Sequence, residues 1–452
     1  MIKFSVITPT HNAEHLYEAC QSLKAQSYPH WEWCIFANHK SGSRDRVRHV
    51  GSQARQLVGN DSRVSVEYGF GDWKGVGEVK RQAFSCGKGD VLVELDHDDL
   101  LTTDCLAELA TAFEDKEVGF VYSDWADFEH ESEGFQGIPT YRKKDVREAW
   151  ARNGFKFDME AVDATIRKGS YECVRSFEPS ALALSLIYWS PNHVRAWRRE
   201  VYEKIGGHDA SFKLCDDHEL LVRTFCETKM KRIPKTLYLY RVHRQNTFSQ
   251  DPALIETLTR QIEREWKEKL ILRECALRGL FAFEILRPGK LTVDLLSTPI
   301  WHRPKTKHGW TPIVFAELST AETFINKVGA FKAEDSIQHS DKSWAMERIW
   351  LNLAPGGHLI GTVPSTDGRG AYMDPRHVSY WNENSFWYWT RRAFWEELYS
   401  HPEKLRLMNR FQEIALKTRF PTDWHEKNKI SYVDFHLVAL KGDYKGPGEV
   451  LL

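Results

Sequence analysis

Three carboxylates and an imidazole follow one apolar run: "VLVEL" at 91–95 leads into Asp96, His97, Asp98 and Asp99. On an extended chain side chains alternate with period two, which would set Asp96 and Asp98 on one side and His97 on the other. Such a carboxylate pair suits a hard divalent cation. Mg²⁺ or Mn²⁺ held by one or two carboxylates commonly neutralises a diphosphate. The competing reading is local, because Asp and Thr are favoured N-caps and a helix is expected near Thr102. A second acidic pair, Asp216 and Asp217 in "CDDHELLVRTF", offers either a general base or charge that complements a helix N-terminus. His243 follows the strand-like "LYLYRV" at 237–242, and a lone His there is more often structural.

The elements that would position these residues can be read from periodicity. Strands are expected at 3–8, 32–37, 64–69 and 91–95, alternating with helices at 14–26, 43–57 and 76–86. That alternation specifies a mainly parallel α/β sheet, in which ligands bind beyond the carboxyl ends of strands. Pro9 to Asn12, Asn38 to Ser41 and Asp96 to Asp99 each follow a strand directly, so three loops are expected to converge on one site. From 126 to about 178 the pattern is irregular and charged, which suggests an inserted or substrate-facing segment, and the register returns near Tyr188. A Pro- and Gly-free amphipathic stretch from Ala253 to about Leu277 predicts a helix joining two domains. After "RPGK" a second α/β segment is expected, with "PIVFAEL", a helix at 341–353, an "APGG" turn at 354–357 and the strand "HLIGTVP".

Composition sets the outer limits. A chain of 452 residues exceeds what one core usually supports. Its 62 basic and 63 acidic side chains nearly cancel, so no polyanion-binding bias, and hence no nucleic-acid partner, is indicated. The eight cysteines form no CxxC pair, which fits reduced thiols in a cytoplasmic protein better than a disulfide framework. No apolar run reaches the roughly 20 residues needed to span a bilayer. Aromatic content is high, 13% with 17 Trp, but aromatics serve cores and sugar-stacking surfaces alike.

Four ordered segments resemble the family 2 glycosyltransferases of GT-A fold: "FSVITPTHNAEHLYEACQSLKAQSYPHWEW", "LVELDHDDLLTTDCL", "REVYEKIGGHDASF" with "CDDHELLVRTF", and "YLYRVHRQNTFS". The resemblance implies an inverting, metal-dependent transfer of a single sugar from a nucleotide-diphosphate donor, such as a UDP-sugar, to a glycan or glycoconjugate. Asp98 would be the principal metal ligand, with Asp96 on the same metal or the ribose and His243 on the metal or pyrophosphate. Asp99 would face the donor sugar and Asp217 would be the catalytic base. Asp216 and His193 would lie on the acceptor side. Pro9, Thr10, His11 and Asn38 would line the nucleotide, and Lys80, or else Arg81, would flank it unless that helix face is simply solvated. His97 is expected to matter least. The family's usual acidic pair after the second strand is replaced by Ala37 and Asn38, so the base that is read stays open.

"EDSIQHSDKSWAMERIWLNLAPGGHLIGTVPSTDGRG" and "DPRHVSYWNENSFWYWT" resemble the later half of a class I methyltransferase. The glycine-rich loop expected after its first strand is missing, since "GKLTVDLLSTPIW" stands there, and Glu317 is the one acid that could serve a ribose. S-adenosylmethionine is therefore not expected to bind. His339, His358 and His377 sit in different elements without ligand spacing, so no metal site is expected among them. The aromatic run Tyr380, Trp381, Phe386, Trp387, Tyr388 and Trp389 reads as core rather than as a sugar platform. The expected organisation is a GT-A domain over 1–250, a helical linker over 251–286 and a smaller methyltransferase-like α/β domain over 287–452. Two alternatives stand beside it: a bifunctional transferase that also methylates a sugar, and a glycan-binding protein that has lost its chemistry.

Overall fold

The computed structural model describes residues 1–39, 42–129, 157–165, 167–187, 190–243, 251–290, 292–319, 324–391 and 411–442. Lys40, Ser41, Tyr188, residues 244–249 and most of the expected acceptor-shaping segment lie outside the described residues. The chain divides into two compact units, Met1–Leu270 and Ile271–Val450.

In the first unit β1 (Phe4–Thr10) lies between β2 (Trp31–Ala37) and β4 (Val91–Glu94), parallel to both, and β3 (Val64–Tyr68) extends the sheet beyond β2. Phe4, Val6, Ile7, Val91 and Val93 are fully buried, as parallel strands covered on both faces must be. The helices between them are α1 (Leu16–Lys24), α2 (Arg44–Val58) and α3 (Val76–Phe84). In α1 the buried set Leu16, Ala19, Cys20 and Leu23 has the i, i+3, i+4, i+7 spacing of one helix face.

Past β4 the sheet becomes mixed. The short β5 (Leu100–Leu101) and α4 (Cys105–Ala112) precede β6 (Val118–Glu129), and β7 (Phe157–Asp163) and β8 (Lys168–Val174) form a hairpin attached to β6. After α5 (Ala181–Leu186), β9 (Arg195–Arg198) enters antiparallel between β4 and β6. Then come α6 (Arg199–Lys204), α7 (Asp216–Glu227) and β10 (Lys229–Val242), parallel to β6 and antiparallel to β5. The sheet order is β3-β2-β1-β4-β9-β6-β10-β5. This is a mainly parallel α/β sheet flanked by helices, with the carboxyl ends of β1, β2, β4 and β10 opening on one rim.

The long helix α8 spans Pro252–Leu277. Strand β11 (Phe281–Ile285) already belongs to the second sheet, so the segment 251–286 is not helical throughout. That sheet has the order β12-β11-β13-β14-β16-β15, with β12 (Thr311–Ile313), β13 (Val328–Glu334), β14 (Leu353–Pro364), β15 (Phe411–Arg419) and β16 (Tyr432–Ala439). β12, β11, β13 and β14 are parallel, and β16 runs antiparallel to both β14 and β15. "PIVFAEL" splits into the end of β12 and a short helix at Phe315–Ser319, and "APGG" is an irregularity inside β14, where the pairing with β13 shifts register. Helices α9 (Lys342–Asn352) and α10 (Glu383–Thr390) flank the sheet.

Trp381 and Phe386 are fully buried in the second unit's core, whereas Tyr380 and Tyr388 are exposed, so the aromatic run is core at its centre only. Glu317 is held by Arg303 and caps the Val314 amide, a structural assignment rather than a ribose contact. None of the eight cysteines is joined in a disulfide. Among the described residues no helix is long and apolar enough to cross a membrane.

Candidate active site

The "DHDD" residues do not continue the strand. β4 ends at Glu94, and the Asp99 amide donates to the Asp96 carbonyl at 3.3 Å, closing a turn over 96–99. The period-two argument for Asp96 and Asp98 therefore fails, because a turn and not an extended chain sets their directions. Helix capping does not explain the cluster either, since α4 is preceded by Asp104, which accepts from the Thr102 hydroxyl at 2.7 Å.

Asp98 and His243 are brought together, with Nε2 of His243 2.7 Å from Oδ2 of Asp98. Burial raises the Asp98 carboxyl, but the His243 hydrogen bond and the nearby His97 outweigh it and hold it at about 2. His97 is closer to the cluster than expected: its Nδ1 is 3.9 Å from Asp98, and its ring meets that of His11 edge-on at 5.1 Å. Burial pushes the Asp96 carboxyl up and Lys80 draws it down, while Glu94 and Asp98 repel its charge and leave it at about 7. Asp96 thus lies near enough to Asp98 to feel its charge, and the two make a pair of acids that differ far in proton affinity. Bound Mg²⁺ or Mn²⁺ fits it, because a cation would take the Asp98 carboxylate directly and displace the proton from Asp96.

Asp99 is placed differently from the expectation. Its side chain is buried, Oδ2 accepts from the Tyr238 hydroxyl at 2.7 Å, and Oδ1 accepts from the Arg241 amide at 2.7 Å. Both oxygens thus tie the turn to β10, which leaves Asp99 poorly placed to face a donor sugar. Arg241 completes the tie through the Asp98 carbonyl at 2.7 Å and the Glu18 carboxylate.

Beneath the turn lies a buried charge network. Lys80, from α3, contacts the fully buried Glu94 at 2.5 Å, and Glu94 is 3.5 Å from Arg195 on β9. Arg195 also donates to Asp217 at 2.9 Å. Burial raises the Asp217 carboxyl, but Arg195 and Lys80 more than reverse this and hold it at about 2. Asp216, beside it on α7, is driven up to about 7 by burial, only partly offset by Lys80. Its Oδ2 is buried without a hydrogen-bond partner and lies 3.7 Å from Nε2 of His208. His193 stacks on Tyr238 at 4.6 Å and sits 3.7 Å from Asp96. Burial, reinforced by Arg195, depresses its imidazole to about 3. His193 is therefore neutral and part of the network, and Lys80 acts from below the site through Glu94. Arg81 is exposed.

The α3 helix can approach so closely because of two glycines, Gly75 and Gly77, and a Cβ on Gly75 would lie 2.6 Å from the Phe212 carbonyl oxygen. A Cβ on Gly77 would lie 2.4 Å from the Asp209 carbonyl oxygen and 3.0 Å from Cβ of Asp216. Glycine there lets α3 pack against the segment that presents Asp216 and Asp217.

At the ends of β1 and β2, a cleft of about 480 Å³ is lined by His11, Asn12, His39, Asp45, Arg46 and His49, among others. Thr10 shapes its edge, accepting the Asn12 amide at 3.2 Å, and Pro9 pairs with Phe36 within the sheet. The Asn38 amide nitrogen donates to the Thr10 carbonyl at 3.1 Å and is buried. Its donor is thus engaged by backbone. Glu94, Arg195, His208 and Tyr238 escaped the sequence reading. One signal was present: Glu94 is a charge inside the otherwise apolar "VLVEL", and a buried carboxylate there requires a cationic partner.

Residues 5–173 match the family model described as Glycosyl transferase family 2. A curated relative, the uncharacterized protein y4gI of Sinorhizobium fredii, is 31% identical over 104 residues, which make up 23% of this chain and 11% of the relative. The match therefore spans about a tenth of that protein's length. Among solved structures, S. aureus TarS 1-349 in complex with UDP-GlcNAc is similar at 15% identity and a TM-score of 0.40, covering 60% of this chain and 71% of that one. The mannosyltransferase PcManGT from Pyrobaculum calidifontis in complex with GDP-Man and Mn²⁺ is similar at 16% identity and a TM-score of 0.34, covering 62% and 64%. The family match spans the turn at 96–99, whereas Arg195, Asp217 and His243 lie beyond its end.

Proposed function

We propose that the chain is an inverting, metal-dependent glycosyltransferase that moves one sugar from a nucleotide-diphosphate donor to a glycan or glycoconjugate acceptor. The observation that carries this reading is the division of labour at one sheet rim. Asp98 meets His243, with the Asp96 carboxyl near enough to feel the Asp98 charge, and Asp217 is held ionised by Arg195.

Asp98 and Asp96, with His243, would hold Mn²⁺ or Mg²⁺, which supplies charge neutralisation to the departing diphosphate when bound. The nucleotide occupies the cleft beside β1 and β2, with His11 available to stack on the base. Asp217 accepts the proton of the acceptor hydroxyl as that oxygen attacks the anomeric carbon opposite the diphosphate. One carboxylate suffices, unlike the pair a hydrolase needs. Arg195 keeps Asp217 ionised and aimed. A carboxylate this acidic is a weak base, so proton transfer comes late, once the new C–O bond has acidified the hydroxyl.

The second unit we read as methyltransferase-like and used for packing or acceptor binding. Its parallel strands closed by an antiparallel pair support that reading, and the lack of a G-x-G after β11 argues against S-adenosylmethionine. A thermal-shift screen of nucleotide sugars with and without Mn²⁺ tests the main proposal. A ligand at 100 times its Kd stabilises the native state by about 2.7 kcal/mol, so at least one donor should raise Tm in Mn²⁺ and less without it. No shift with any nucleotide sugar would contradict the proposal.

A further inference from the structure

His339 and His377, which the sequence separates, meet in the second unit. Their ring centroids are 5.1 Å apart at an interplanar angle of 71°. Asp374 joins them, and one ligand atom from each of the three residues lies within 4.8 Å of the others. This corrects the expectation that no metal constellation forms there. His358 takes no part, being buried against His436 with Nδ1 3.0 Å from its Nε2.

The hydrogen bonds around the trio select one tautomer. Nδ1 of His339 is 3.1 Å from the Arg376 carbonyl oxygen, and Nδ1 of His377 is 2.8 Å from the Ala371 carbonyl oxygen. A carbonyl only accepts, so each Nδ1 carries the proton and each Nε2 offers its lone pair. Metal-ligating histidines are oriented in this way, by a backbone carbonyl on the other ring nitrogen. Nε2 of His339 is buried and has no hydrogen-bond partner. Asp374 is fixed by the Arg376 amide at 2.9 Å on Oδ1 and by its guanidinium, which reaches both carboxylate oxygens. The two segments are clamped together, because the Val378 and Ser379 amides both donate to the Gln338 carbonyl, at 2.8 and 3.0 Å. His339 closes the turn that follows β13, and Asp374 to His377 follow β14, so the trio stands beyond the carboxyl ends of two adjacent parallel strands, where open α/β sheets bind ligands.

We propose that His339, Asp374 and His377 form a metal site of their own, taking a borderline divalent ion such as Zn²⁺ and leaving coordination positions open to water or a substrate oxygen. Two imidazoles and one carboxylate suit Zn²⁺, Fe²⁺ or Co²⁺ rather than Mg²⁺, which prefers oxygen alone. At metal–ligand distances of about 2.1 Å the ligand atoms would sit roughly 3–4 Å apart, so binding draws the three side chains inward by less than about an ångström each.

Zn²⁺ titration of the chelator-treated full-length chain against a chromophoric competitor, with Mg²⁺ in excess, tests this site separately from the glycosyltransferase site. The background is Asp98→Ala/His243→Ala, which disables the other donor set. That chain should bind one Zn²⁺, and adding His339→Gln/His377→Gln should weaken binding by about 100-fold or more. Gln keeps a side-chain donor for the two carbonyls, and an unchanged far-ultraviolet circular dichroism spectrum shows that the fold is retained. Co²⁺ should give visible ligand-field bands that vanish with the same pair. Absence of stoichiometric Zn²⁺ in the Asp98→Ala/His243→Ala chain, or affinity unmoved by the histidine changes, would overturn the proposal.

Discussion

At the scale of single residues, burial separates neighbours that look alike in sequence. Asp98 and Asp99 are adjacent acids, yet one accepts from His243 in the proposed metal set and the other spends both oxygens on β10. Asp99→Asn should therefore destabilise the first unit, by about 1–3 kcal/mol in urea unfolding, because a buried acceptor pair is broken. Asp98→Asn should also lower stability at neutral pH, because its folded carboxyl is held below the ordinary value, and should in addition abolish the Mn²⁺-dependent part of any donor-induced Tm shift. Asp216 yields a pH signature. Its folded carboxyl is raised to about 7 from an ordinary value of about 3.9, so between these values the native state holds a proton that the unfolded state lacks. Stability from this group is complete below the lower value and is lost as pH rises toward the upper one. Asp216→Asn should flatten the fall in Tm between about pH 4 and 7, and a slope unchanged from the parent would refute the assignment. The chemistry-bearing residue types were legible in sequence. The turn at 96–99 was not, because "DHDD" carries no glycine or proline to announce it, and the partners that decide each acid's role come from β9 and β10.

At the scale of elements, α3 is the lever on the site. Gly77 admits the helix to the Asp209 carbonyl, and Lys80, one turn on, delivers its charge to Glu94. Gly77→Ala should push α3 outward and lower activity several-fold even though alanine is the better helix former by about 1 kcal/mol. A net gain in both stability and activity would contradict that packing. Lys80→Met leaves the buried Glu94 carboxylate with Arg195 alone, 3.5 Å away, and should destabilise the chain in denaturant unfolding by up to about 3 kcal/mol. The double change Lys80→Met/Glu94→Leu should recover part of that loss, whereas a network without coupling would show additive costs. The strands and helices of the first hundred residues were readable because hydrophobic period and turn residues are local signals. The second sheet began earlier than expected because "FAFEI" at 281–285 follows a long helix with no proline between them, only Gly279.

At the scale of the molecule, two units share one chain, and the family match is confined to the first. The second should not respond to S-adenosylmethionine, so calorimetry with that compound is expected to show no heat beyond dilution, and a saturable isotherm would favour the bifunctional reading. The central claim concerns Asp217, carried by α7 far in sequence from the acids that would hold the metal. Asp217→Asn keeps the shape and the contact with Arg195 while removing the base, and general-base loss typically lowers turnover by about 10²–10⁴-fold. Single-turnover sugar transfer by Asp217→Asn, measured beside donor binding, tests the account most directly. Transfer should fall by at least about 100-fold with donor affinity in Mn²⁺ unchanged, and transfer at the parental rate with normal donor binding would contradict it.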